Sequence, residues 1–306
     1  MSERLPSPEQ QLAQNLDRLV GRTEKLGIQV GLYCQDLSSM REVMAHRDRE
    51  PMFAASLNKL AIAHMAASRL DLQACVPLPP RDQRMAGAGA YDLEQAHAEV
   101  ADARVDSLLE DMLQPSGNSA MKALVEALGG PTSLNDYLQT TSFAQRSLQQ
   151  TYVYELMDEG KFYAGFTTPR EVSYMLRDLR DKATADPAYA KVWELAKGHR
   201  GNLATLRASA SQRGIQIAGK SGQLNGFQLE EGDSPHFLRH EAAVFERGEQ
   251  AMVVAVMTTA PESRLSPIKR WIASTFERQV GEAVCETLGG QSVSHLGAQG
   301  LRHLDD

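Results

Sequence analysis

Ser56 and Lys59 stand three residues apart in the run Ala54-Ala55-Ser56-Leu57-Asn58-Lys59-Leu60-Ala61-Ile62, which reads as the start of a buried helix. At that spacing two helical side chains share one face, a turn from each other. A serine hydroxyl is a poor nucleophile until a base takes its proton, and a neutral lysine within hydrogen-bond reach can do so. Burial and a second cation nearby push a lysine toward neutrality. The start of a helix also places free N–H groups beside Ser56, where an oxyanion would form. Taken alone the pair recurs by chance in helices. Two later triplets give it companions. Ser116-Gly117-Asn118 follows Pro115, and Lys220-Ser221-Gly222 follows the apolar run Ile215 to Gly219.

These are S-x-x-K, S-x-N and K-[ST]-G, the motif set of penicillin-interacting serine enzymes, in the right order. Ser116 lies 60 residues after Ser56, and Lys220 lies 104 after Ser116. With these motifs and separations the chain resembles the class A β-lactamases, and more broadly the β-lactamase and penicillin-binding-protein superfamily, from about Ile28 to about Thr287. The resemblance implies an acyl-serine hydrolase without a cofactor, whose partner is a small molecule: a β-lactam, or a peptide-like amide or ester such as a D-Ala peptide. It also implies roles. Ser56 attacks the carbonyl and holds the acyl group, Lys59 takes its proton, and Ser116 passes that proton to the leaving nitrogen. Lys220 keeps the cleft positive, and the Ser221 hydroxyl binds a substrate carboxylate. The N–H groups of Ser56 and Gln223 form the oxyanion hole, with Gly222 between Ser221 and Gln223. Asn118 positions Lys59 or the substrate amide, and Tyr91 walls the cleft.

The chain departs from that family where deacylation is catalysed. The family's glutamate would fall 36 residues past Ser116, at Tyr152, and the asparagine four later at Leu156. Leu148 and Thr167-Thr168-Pro169 keep the local register. The family's Arg–Asp clamp would be Gln150 and Gly165, which cannot form an ion pair. A phenol with a pKa near ~10 is a poor base at neutral pH; Glu155 and Glu159 stand nearby. The resemblance therefore supports acylation with slow deacylation. Two other readings share the motifs: a covalent penicillin-binding sensor without turnover, and a glutaminase-like amidase.

Length and composition set the frame. The 306 residues, 42% hydrophobic and 23% charged, suffice for one large core or two lobes. A net charge of −7 argues against a nucleic-acid partner or an anionic membrane surface. No apolar run approaches a membrane span. Met1 to Asn15 is polar and lacks the apolar core of a secretory signal, so the expectation is a cytoplasmic protein, or one whose leader has been removed. Cys34, Cys75 and Cys285 are read as buried free thiols. His236 and His240, with no third ligand, do not read as a metal site, and the other histidines read as surface groups.

The elements that must position these residues follow from pattern. Ser7-Pro8-Glu9-Gln10 starts a helix by a capping box, and Gly27 stops it. Ile28 to Gln35 alternates as a strand, and Glu42 to His46 forms a second. From Leu57 to about Ala210 the pattern is mostly helical, with an amphipathic stretch from Ala90 to Leu113, a helix from Ser119 stopped by Gly129-Gly130-Pro131, and one opened by Thr168-Pro169. Strand signals resume at Ile215, and a hairpin turns at Arg247-Gly248-Glu249. Ser266-Pro267 starts a last helix with Ile268, Ile272, Phe276, Val280 and Val284 inward. The expected fold is α/β (α+β): an antiparallel five-stranded sheet flanked by terminal helices, with an inserted all-helical lobe. Residues 1–50 and 211–288 would form the sheet lobe, 51–210 the helical lobe and 289–306 a tail. The motifs would meet at the seam, with the long connection between Gly222 and His240 covering it.

Overall fold

The computed structural model describes residues 6–80, 101–141, 165–199, 210–227 and 235–289. Helix α1 (Pro8–Lys25) begins with the expected capping box: the Gln10 N–H donates to Ser7 Oγ at 3.2 Å, and the Ser7 N–H donates to Gln10 Oε1 at 2.8 Å. Gly27 ends it in the left-handed region. Strands β1 (Gln29–Asp36) and β2 (Glu42–His46) follow, and the chain returns through β3 (Met52–Phe53) to Ser56.

The main sheet is antiparallel and five-stranded, in the order β2-β1-β9-β8-β7, where β7 is Gln216–Phe227, β8 His236–Arg247 and β9 Gln250–Pro261. Gly248, at φ 59°, makes the predicted turn between β8 and β9. One face of the sheet buries Val30, Leu32, Val254 and Val256 against α1 and the last helix, α8 (Ser266–Gly289). The other face, with Ala218, Val244, Val253 and Ala255, shares its core with the helices inserted between β3 and β7. Those are α2 (Lys59–Arg69), α3 (Val105–Leu113), α4 (Asn118–Ala127), α5 (Gly130–Thr140), α6 (Pro169–Ala183) and α7 (Pro187–Lys197). Thr168 caps α6 as its type and place predict, its Oγ1 accepting from the Glu171 N–H at 3.1 Å.

Several expectations are corrected. Ser56 lies in a 3₁₀ turn, Ala55–Asn58, and the α-helix begins only at Lys59; Ala55, at φ 45°, breaks a regular helical entry. The helix predicted up to Leu113 starts, among the described residues, at Val105, because β5 (Asp102–Arg104) pairs with β4 (Cys75–Pro77). Gly129-Gly130-Pro131 ends one helix and opens the next, with Pro131 in the first turn where its missing N–H has no partner to lose. Cys75 is exposed on the short β4, and Ile268, 50% exposed, faces solvent in the first turn of α8. A further short pair, β3 with β6 (Phe166–Thr167), has no counterpart in the sequence reading.

Candidate active site

The three motifs converge. Ser56 sits in the 3₁₀ turn and Lys59 at the start of α2. Ser116 stands on the bend between α3 and α4, and Asn118 opens α4. Lys220, Ser221, Gly222 and Gln223 lie on β7, the edge strand of the sheet.

Ser116 Oγ is the hub. It donates to Ser56 Oγ at 3.2 Å and lies 3.0 Å from both Lys59 Nζ and Lys220 Nζ. Lys59 Nζ also donates to Ser116 O at 2.5 Å and to Asn118 Oδ1 at 2.8 Å. Three acceptors around one amine suit the three protons of an ammonium. Lys220 Nζ donates to the Ser221 carbonyl at 3.0 Å. Both lysines are completely buried. Burial first, and the neighbouring charge of Lys59 second, hold Lys220 well below the usual lysine range. The pair therefore favours one charged and one neutral amine, each reaching Ser56 through the same hydroxyl. The described hydrogen bonds of Lys59 go to Ser116 and Asn118, and Ser116 Oγ links it to Ser56 Oγ.

Backbone strain marks the same place. Ala55, just before Ser56, and Ser116 itself, at φ 69°, both lie in the left-handed region that non-glycine residues avoid. Gly222 is the close neighbour of the nucleophile: a Cβ there would come within 2.9 Å of Ser56 N and 3.1 Å of Ala55 Cβ. The Ser221 N–H points off the free edge of β7, where it donates to His199 Nε2 at 3.1 Å. Alternation along a strand then aims the Gln223 N–H, two residues on, off the same edge. The Ser56 N–H, in the 3₁₀ turn, lies beside Gly222 of the same strand.

Tyr91 and Tyr152, and with them Gln150, Glu155, Leu156 and Glu159, lie outside the described residues. So does part of the connection between β7 and β8. Gly165, the other clamp position, sits at φ 56° and its carbonyl accepts from the Ala54 N–H at 2.9 Å.

Three histidines, His64, His199 and His240, are buried. His64 and His199 are not surface groups; they are 0% and 2% exposed. His64 lies on α2 and bonds Tyr137 OH and Asp178 Oδ2, each at 2.6 Å. Burial alone would raise the Asp178 carboxyl, but His64 and Lys182 outweigh it and hold it at about 2. The apolar run around His64 is a signal that could have found it. His199, just past α7, has no such signal, yet its ring contacts Ser221. His240 is buried and donates through Nε2 to Phe53 O at 2.8 Å, tying β8 to the segment leading to Ser56. Among the described residues no cluster of His, Cys, Asp or Glu is placed to hold a metal, and no helix is long and apolar enough to cross a membrane.

Known proteins share this architecture. The model of the β-lactamase enzyme family matches residues 11–288. PBP-A superposes with a TM-score of 0.69 at 21% identity, over 91% of this chain and 96% of that one. A point mutant of PBP-A, in its acyl-enzyme complex with penicillin G, gives 0.68 at 20% identity, over 94% and 100%. A β-lactamase from Sphaerobacter thermophilus DSM 20745 gives 0.68 at 17% identity, over 90% and 97%. No curated protein sequence matches the chain.

Proposed function

The chain belongs to the β-lactamase enzyme family, and on that premise we propose that it is an acyl-serine hydrolase that acylates readily on a β-lactam or a peptide-like amide or ester and deacylates slowly. The observation that carries this reading is the hydrogen-bonded run from Ser56 Oγ through Ser116 Oγ to two buried amines.

In acylation, Ser56 Oγ attacks the substrate carbonyl carbon. The Ser116 hydroxyl, which donates to Ser56 Oγ at rest, turns to the neutral amine of the lysine pair and gives up its proton there as Ser116 Oγ takes the proton of Ser56. The Ser56 and Gln223 N–H groups receive the oxyanion. As the intermediate collapses the C–N or C–O bond breaks, and Ser116 returns a proton to the leaving group. The acyl group stays on Ser56 until water cleaves the ester. That last step needs a base aimed at water, and Tyr152 stands where the family carries one. The same fact favours the second reading, a module that acylates and stays acylated; turnover separates the two.

Labelling with a fluorescent penicillin tests the nucleophile. The native protein should carry one label, and Ser56→Ala should carry none while keeping its circular dichroism spectrum. A Ser56→Ala protein that still labels would sink the assignment.

A further inference from the structure

Ser221 was expected to bind a substrate carboxylate through its hydroxyl. That hydroxyl is otherwise engaged. His199 Nδ1 faces two carbonyl oxygens, Leu113 O at 2.7 Å and Gln114 O at 3.2 Å. Carbonyls only accept, so this nitrogen carries the ring proton. Nε2 then offers a lone pair, and the Ser221 N–H donates to it at 3.1 Å. Ser221 Oγ lies 2.8 Å from the same nitrogen, so the hydroxyl also donates to it. A serine hydroxyl has one proton. With that proton on His199, Oγ presents only lone pairs to the cleft.

Among the described residues, buried carboxyls stand on and behind the neighbouring strand. Opposite Ser221 in the β7–β8 register stands Glu241, and Glu277 lies behind the same strands; both are buried. Arg239, opposite Gln223, is turned to Glu277 with Nε 3.3 Å from Oε2. Lys220 spends its described hydrogen bonds on Ser116 Oγ and Ser221 O.

We propose that the subsite beside Ser221 takes a neutral hydrogen-bond donor, such as a primary amide or a hydroxyl, in place of a carboxylate, and that His199 sets this preference by holding Ser221 Oγ as an acceptor. The inference rests on the acyl-serine reading of the site. His199 acts through Ser221, so it is a positioning residue.

A matched pair of probes tests it: a penicillin with its ring carboxylate, and the same penicillin as the primary carboxamide. Acylation rates are followed by intact mass. The native protein should react with the amide at least as fast as with the acid. His199→Leu frees the Ser221 hydroxyl to donate, and the acid-to-amide rate ratio should rise about tenfold, the scale of one hydrogen bond to a charged group. His199→Gln, whose side-chain carbonyl can accept from Ser221, should keep the native ratio; a merely structural role for His199 would slow both probes alike. The proposal is overturned if the native protein prefers the acid by about tenfold or more, or if His199→Leu leaves the ratio unmoved. Should His199→Leu not fold, the native ratio and that of His199→Gln decide: a Gln variant that gains the acid preference overturns it. Failure of both probes to label Ser56 in the native protein would instead overturn the acyl-serine reading, and this inference with it.

Discussion

Ser116 is held in a conformation that costs free energy, and its neighbours explain how. Pro115 precedes it at the end of α3, and the Gly117 N–H donates to Asp111 O at 2.8 Å. A Cβ on Gly117 would collide with the Asp111 side chain, so the bend is fixed by glycine packing and one backbone bond. The strain, of order 1–3 kcal/mol, turns the hydroxyl toward Ser56 and both amines. Residue types and spacing made the members of this set legible. Their division of labour was not legible, because spacing along a chain says nothing of which amine touches which hydroxyl. The relay predicts that Ser116→Ala slows acylation by about 10²–10⁴-fold while Ser56 remains the labelled residue. Stopped-flow acylation with a chromogenic cephalosporin measures this. A loss below about tenfold would mean that Ser56 passes its proton directly to an amine.

At the scale of elements, sequence reading succeeded where an element carries its own signal. Helix α1 has its capping box, α6 its threonine cap and proline, and β8 and β9 their glycine turn. It failed at β3, β4, β5 and β6, each two or three residues long, too short for a period. Their stability comes from partners far along the chain, as Met52 opposite Thr167 illustrates. His199, read as a surface group, was missed for the same reason: tertiary packing, not local pattern, put it inside. His240 is buried as well. It accepts from the Thr258 N–H at 3.2 Å through Nδ1 and donates to Phe53 O through Nε2, so it anchors the approach to Ser56 as a neutral ring. Burial pushes it down to about 4 from an ordinary value of 6.5. The folded state thus binds fewer protons than the unfolded chain between those values, and acid favours unfolding. His240 should contribute stability that is whole above pH 6.5 and is lost as pH falls to about 4, a swing of roughly 3 kcal/mol. His64, also pushed down chiefly by burial, adds to the same slope. In urea titrations across this window, His240→Gln should show a shallower loss of stability than the native protein. Parallel slopes would show that His240 does not titrate as its burial requires.

At the scale of the whole molecule, five-stranded sheet and helices share cores that bring distant segments to one site, and the motif order announced that meeting. The parts proposed for acylation sit on well-separated elements: Ser56 and Lys59 at the start of α2, Ser116 before α4, Lys220 on β7. On the proposed reading deacylation falls to the segment carrying Tyr152, where the sequence supplies a phenol in place of a carboxylate and where Gln150 and Gly165 cannot form an ion pair. A positioned general base is typically worth about 10²–10⁴ in rate, or roughly 3–5 kcal/mol of barrier. Removing it from the second step alone makes that step rate-limiting, so the acyl-enzyme should accumulate. Mixing the protein with a penicillin should give a burst of one equivalent and then slow turnover, and peptide mapping should place the adduct on Ser56. Tyr152→Glu should speed release if the segment holds its new carboxylate against water, and release unchanged would assign the defect to the missing clamp as well. Two results would count against accumulation. Fast steady-state hydrolysis by the native protein would mean that another group, with Glu155 the first candidate, serves as the base. Neither adduct nor turnover with any lactam would mean that the cleft excludes them, and the search would turn to other amides and esters with a neutral donor beside the scissile bond.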